Sequence, residues 1–209
     1  EVADIAQWLK KLLAMNCPLT FDIEAFDLKH HKAGIGTISI AWNEHEGIAF
    51  PVDYTDDPWI EVVGDNEIQH YGRQVYNTEV RALLKEFFQS YQQKAIYHNI
   101  AFDAYVLVYQ LFMDGILDTE GLLNGIDCML RNWDCTKLIS YLATNSCSGN
   151  RLSLKDQAHE FAGNYAMDSE DIKDITRIPR PKLLEYNLVD SLATWFVHKK
   201  RKPQMLADQ

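Results

Sequence analysis

The chain has 209 residues, 47% hydrophobic and 24% charged, enough apolar side chain for one α/β-sized domain with a proper core and too much for a disordered tail. Its 20 basic and 30 acidic residues give a net charge of −10, which argues against a nucleic-acid binder that neutralises phosphate with Lys and Arg alone. Acidic residues that hold divalent cations escape that exclusion, because the loaded cations present positive charge to a phosphate.

No run approaches the roughly 18 apolar residues needed to span a bilayer, so no membrane partner is expected. Cys17, Cys128, Cys135 and Cys147 contain no Cys-x-x-Cys pair, which points away from disulfides or structural zinc and toward a reducing, cytoplasmic setting.

Ile5, Trp8, Leu9, Leu12 and Leu13 recur at helical spacing and predict an amphipathic helix over 2–14, ended by Pro18. Residues 19–25 then alternate, with Phe21, Ile23 and Ala25 on one face and Thr20, Asp22 and Glu24 on the other, which predicts a strand. Two further strands, 35–42 and 47–52, are joined by Asn43-Glu44-His45-Glu46 as an antiparallel hairpin. Residues 53–76 are polar, carry Pro58, Gly64 and Gly72, and read as a long loop. A helix follows from Asn77, a short strand over 94–97, and a helix from Asn99 to about Met113 with Asn99 as its cap. Gly115, Gly121 and Gly125 mark 115–127 as an irregular insertion, and helices are expected at about 134–143, 153–162 and 181–200. The sum is an α/β layer with a mixed sheet. His30, His31, His70 and His159 read as surface or structural residues.

Three places can carry chemistry. Asp22 and Glu24, at i and i+2 on a strand, project to one face roughly 6–7 Å apart and repel unless a cation lies between them. Alone, they could also be the wet face of an edge strand. Asp103 sits one turn inside the helix that Asn99 opens, where a carboxylate is often only a dipole partner. On the last helix, Leu184, Leu188, Leu192, Trp195 and Phe196 form the apolar stripe, while Asn187, Ser191, Thr194 and His198 mark the expected solvent stripe. Tyr186 and Asp190 lie on neither and share a face with Ala193 and Val197. A partly buried Asp190 therefore needs a metal, a hydrogen-bond network, or a local bond from Tyr186.

Taken in order, Asp-x-Glu at 22–24, Asn-x-x-x-Asp at 99–103 and Tyr-x-x-x-Asp at 186–190 resemble the 3′→5′ exonucleases built on four acidic residues, in the subclass whose last motif carries tyrosine. The other subclass has His five residues before the final Asp, and that position here is Glu185. The match is closer still to the proofreading domain of family A, DNA polymerase I-like, DNA polymerases. His98-Asn99-Ile100-Ala101-Phe102-Asp103, residues 134–142 and Leu152-Ser153-Leu154-Lys155-Asp156-Gln157-Ala158 resemble its second motif and the two helices after it.

The resemblance implies a ribonuclease H-like fold with a mixed five-stranded sheet flanked by helices. It implies two divalent ions, Mg²⁺ or Mn²⁺: Asp22, Glu24 and Asp190 would hold one, and Asp22 would bridge to a second whose shell Asp103 completes. Tyr186 would orient the attacking water. Leu28, Asn99, His98 and Phe102 would meet the terminal nucleotide, with core packing the alternative for Leu28 and Phe102. The implied partner is a single-stranded DNA 3′ end, with a polymerase region in the same parent chain, in the cytoplasm (nucleoid or phage-infected cell). The chain opens at Glu1 rather than Met, and basic residues at 198–203 could lead to such a region; a free-standing exonuclease is the alternative. A ribonuclease D-like enzyme that trims RNA, and a non-catalytic scaffold that keeps the fold, are the competing readings.

Overall fold

The computed structural model describes residues 1–144, 151–163 and 172–207. The chain runs α1 (Val2–Met15), β1 (Leu19–Glu24), α2 (His30–Ala33), β2 (Thr37–Ala41), β3 (Gly47–Pro51), β4 (Tyr54–Val63), β5 (Asn66–Gln74), α3 (Thr78–Ser90), β6 (Ala95–Tyr97), α4 (Ile100–Phe112), α5 (Thr119–Met129), β7 (Trp133–Cys135), α6 (Thr136–Ala143), α7 (Leu154–Gln157), α8 (His159–Ala162), a 3₁₀ turn (Ile175–Arg177) and α9 (Arg180–Ala207). Cys147 and the His30 side chain fall outside the described residues, as do parts of the stretches after α6 and α8.

Five strands form one sheet in the order β3-β2-β1-β6-β7. β1 pairs antiparallel with β2 and parallel with β6, so it is central rather than an edge strand. Phe21 and Ile23 stand opposite Ile40 and Ile38 and bury into a core shared with Leu9 and Leu12 of α1, Leu84 and Phe87 of α3, and Leu107 of α4. Thr20, Asp22 and Glu24 face the other way, opposite Ala41, Ser39 and Thr37. α9 covers that second face.

The contact between α9 and the sheet is polar. Ser39 Oγ lies 2.6 Å from Ser191 Oγ and donates to the Asn187 carbonyl at 2.7 Å. Thr20 donates to the Ser191 carbonyl at 2.9 Å, and Thr37 donates to Asn187 Oδ1 at 2.8 Å. Asn187, Ser191 and Thr194 are therefore fully buried, which overturns the expected solvent stripe. Helical periodicity separates faces but cannot tell a wet polar face from one matched to a polar sheet. Leu188 and Trp195 of the apolar stripe flank the seam, beside Gly47 and bonded to the Ala41 carbonyl respectively.

Four further expectations need correction. Residues 53–76 are not a loop: β4 and β5 form an antiparallel two-stranded ribbon turning at Gly64, whose φ of +62° suits glycine. Its side chains are mostly exposed on both faces, so no apolar alternation announces it. The ribbon is pinned by buried His70, which bonds Thr176 at 2.6 Å and Glu61 at 2.9 Å and stacks on Trp59. Residues 115–127 are irregular only as far as Asp118, which caps α5 from Thr119 by accepting from the Gly121 amide. Gly121 and Gly125 let α5 approach α4, where an added Cβ would meet Phe112 and Val108. The helix expected over 134–143 begins with β7, the fifth strand of the sheet, and the one over 153–162 is two short turns.

Replacing Ser39 by Val would remove the hydroxyl that meets the Asn187 carbonyl, Asn187 Nδ2 and Ser191 Oγ in a buried seam, leaving Ser191 Oγ only its 3.3 Å bond to the Ser39 carbonyl. The expected cost is about 1–3 kcal/mol, read as a lower urea midpoint at unchanged m-value. An unchanged midpoint would show that the seam contributes no stability.

Candidate active site

Asp22 sits mid-strand on β1 and Glu24 ends it, both under α9. Asn187 donates from Nδ2 to the Asp22 carboxylate at 2.8 Å and to its backbone carbonyl at 3.1 Å. The Thr37 hydroxyl on Asn187 Oδ1 fixes which way that amide points. Asp190 follows Asn187 by three residues, so it projects from the same side of α9. One carboxylate oxygen each of Asp22, Glu24 and Asp190 then falls within 4.8 Å of the others. Asp103, 4% exposed in the first turn of α4, faces the same cleft and is felt electrostatically by Asp22 and Glu24.

These acids are crowded, with Asp103 buried and Asp22, Glu24 and Asp190 half-buried. Burial pushes the Asp22 carboxyl well above the ordinary range, and repulsion from Asp190, Asp103 and Glu24 adds to it against the Asn187 hydrogen bond. Burial, then Asp190 and Asp103, raise Glu24 to about 8, opposed by Lys155. Burial raises Asp103 to about 8, opposed by the backbone amides of Ile23 and of Asp103 itself, and Asp190 to about 6, opposed by Lys155. Only oxygen donors converge here, and their mutual repulsion is what a divalent cation relieves. The set suits a hard ion such as Mg²⁺ or Mn²⁺.

The remaining expected residues are spread around this centre. Tyr186, half-buried one turn before Asp190, lines a cavity of about 470 Å³ and carries the Lys182 ammonium 4.9 Å from its ring centroid. Leu28, just beyond β1, is 85% exposed, so core packing is not its role. Phe102 is partly buried against the main core. His98 Nδ1 bonds Thr136 Oγ1 at 2.8 Å, and burial, reinforced by Lys137, lowers its pKa to about 4, so the ring is neutral. Asn99 is exposed and left-handed with φ +61°, and its side chain does not cap α4, contrary to expectation. It lines a groove with Ala101, Lys137 and Tyr141. Sequence reasoning misses Asn187 and Lys155 as site residues. The signal for Asn187 lies in Thr37-x-Ser39 opposite Glu24 and Asp22, which only the register of β1 on β2 reveals, and Lys155 lies in the short helix after Ser153.

A family model described as 3′-5′ exonuclease, that of the polymerase A exonuclease domains, matches residues 2–205. The chain belongs to the 3′-5′ exonuclease family. Among curated proteins none matches. Solved structures share the fold. Brucella melitensis NrnC with bound Mg²⁺ is 17% identical at a TM-score of 0.54, over 91% of this chain and 74% of that one. A structure of the yeast NOT1 MIF4G domain with CAF1 is 12% identical at 0.59, over 95% and 85%. A nuclease in its apo form is 16% identical at 0.58, over 95% and 78%. With these neighbours the five-stranded mixed sheet and its flanking helices are ribonuclease H-like.

The raised carboxyls fix the sign of a pH effect. Their folded forms hold protons more tightly than the unfolded chain does, so their contribution to stability without metal is full below about pH 4 and is lost as pH rises through about 8. Thermal melts in EDTA should fall across that window, and added Mn²⁺ should raise the melting temperature more at pH 8 than at pH 5. A flat EDTA profile would contradict the raised carboxyls.

Proposed function

We propose that this chain is a divalent-metal-dependent 3′→5′ exonuclease acting on single-stranded DNA ends and releasing 5′-monophosphates, as the proofreading domain of a DNA polymerase. The observation that carries the reading is the convergence of Asp22, Glu24 and Asp190, from a strand and a helix far apart in sequence, beside Asp103. Asp22, Glu24 and Asp190 would hold one cation, and Asp22 with Asp103 a second. When bound, the cations supply Lewis-acid stabilisation for charge on the attacking and leaving oxygens.

The protein's own groups do the rest. Asn187 holds the Asp22 carboxylate in one orientation, so the donor set is preorganised. The Tyr186 hydroxyl orients the attacking water toward phosphorus. Lys155, the cation that acts on both Glu24 and Asp190, tempers the negative cleft for an anionic strand. Leu28 wedges against the terminal base, a contact its exposure makes available, and Asn99 with His98 and Phe102 borders the terminal nucleotide. Apolar and aromatic contacts of this kind suit single strands, since every base offers a π-face. We read residues 1–209 as one exonuclease domain, joined to a polymerase region and working where its DNA lies, in the cytoplasm. Among the described residues no helix is long and apolar enough to cross a membrane.

Asp22→Ala and Asp190→Ala should each abolish Mg²⁺-dependent shortening of a 5′-labelled DNA oligomer while the circular dichroism spectrum is kept. Full activity in either refutes the assignment. Tyr186→Phe should lower kcat by about 10²-fold with little change in KM, the signature of a misplaced nucleophile. Parallel digestion of DNA and RNA oligomers of one sequence tests the substrate class: faster loss of DNA is expected, and preferential loss of RNA would assign an RNA-trimming role at the same centre.

A further inference from the structure

At the Glu24 end of the cleft, Lys173, Arg177 and Lys182 surround the cavity of about 470 Å³ that Tyr186 also lines. Their placement is built in. The 3₁₀ turn drives Ile175 against Gly36, where an added Cβ would collide with Ile175 and crowd the Glu24 carbonyl. The Gly36 amide itself donates to that carbonyl at 2.7 Å. Ile175 further packs with Tyr54, Leu183 and Phe26, so the turn that carries the cations is anchored beside the strand that carries the acids.

Among the described residues that line this cavity, cations outnumber carboxylates. Three of those described residues are cations and one, Asp174, is a carboxylate, in a protein of net charge −10. Asp174 is committed elsewhere, because its Oδ1 accepts from the Thr176 amide at 3.0 Å and hydroxyl at 2.7 Å. Its ion pair with Arg177 is 3.7 Å long, beyond hydrogen-bonding distance. Arg177 and Lys182 are each about half exposed, at 51% and 49%. Guanidinium and ammonium donors around an open cavity match the oxygens of a phosphate.

We propose that Lys173, Arg177 and Lys182 form a phosphate-binding subsite that grips an internal phosphodiester of the substrate strand, on the 5′ side of the scissile bond. This rests on the exonuclease reading of the adjoining centre. The subsite counters the repulsion an anionic strand meets at four carboxylates, and it fixes the strand's direction across Tyr186.

The test is the double variant K173A/R177A in Mg²⁺ with a DNA 12-mer; Lys182 is left in place because it touches Tyr186. KM should rise about tenfold with kcat held within about twofold, and log(kcat/KM) should fall less steeply with log salt, by roughly 0.7 for each phosphate the variant no longer neutralises. In the wild type, one methylphosphonate linkage in a scan from the 3′ end should raise KM. The double variant should be insensitive at that linkage, and K173R/R177K should restore most of the KM. Wild-type KM and salt slope in the double variant, with normal wild-type turnover, would overturn the subsite alone. Absence of any Mg²⁺-dependent degradation by the wild type would overturn the exonuclease reading, and the subsite with it.

Discussion

The register of α9 on β1 and β2 is the constraint on which the rest depends. It is set by hydrogen bonds rather than by apolar packing: Thr20, Thr37 and Ser39 on the sheet meet Asn187 and Ser191 on the helix, all fully buried. An apolar seam tolerates small slides and rotations of a helix. A seam of short donors and acceptors does not, since any shift strands a buried polar group. Asn187 joins that seam to the chemistry, with one end of its amide on Thr37 and the other on Asp22. Asp190 is carried three residues further along the same rigid helix.

The buried acids of this protein fall into two kinds, and the contrast separates structure from site. Asp53 is completely buried yet satisfied, by Arg81 and by the Ile35 and Asn77 amides. Asp134, which burial alone would push up, is instead held below the ordinary range by Lys202, His198 and Lys94. Asp22, Glu24, Asp103 and Asp190 have one another for neighbours; burial raises all four, and repulsion from one another adds to it at Asp22, Glu24 and Asp103. Crowded like charges without a matching cation cost the fold stability, and proteins tolerate that where the chemistry needs it.

How much of this is legible in the sequence follows from range. Asp22 and Glu24 on one strand face, and Tyr186 and Asp190 on one helix face, are local consequences of periods 2 and 3.6, and local spacing is enough to single them out. Asn187 and Ser191 obey the same helical period, yet the period alone reads them as solvent-facing, because burial of a polar stripe depends on a polar partner 148 and 152 residues away in Ser39. The β4–β5 ribbon escapes for a related reason. It has no buried face of its own, and its position is settled by His70 reaching Thr176, a contact 106 residues apart. In α5 the glycines that look like breaks are contact points against α4, a meaning that emerges only when the partner helix is in place.

The most direct test of the convergence is anomalous scattering from a crystal soaked in Mn²⁺. One or two peaks are expected between the side chains of Asp22, Glu24, Asp103 and Asp190. Saturating Mn²⁺ with no peak there, or with peaks only at surface acids, would contradict a cation site built by α9 on β1.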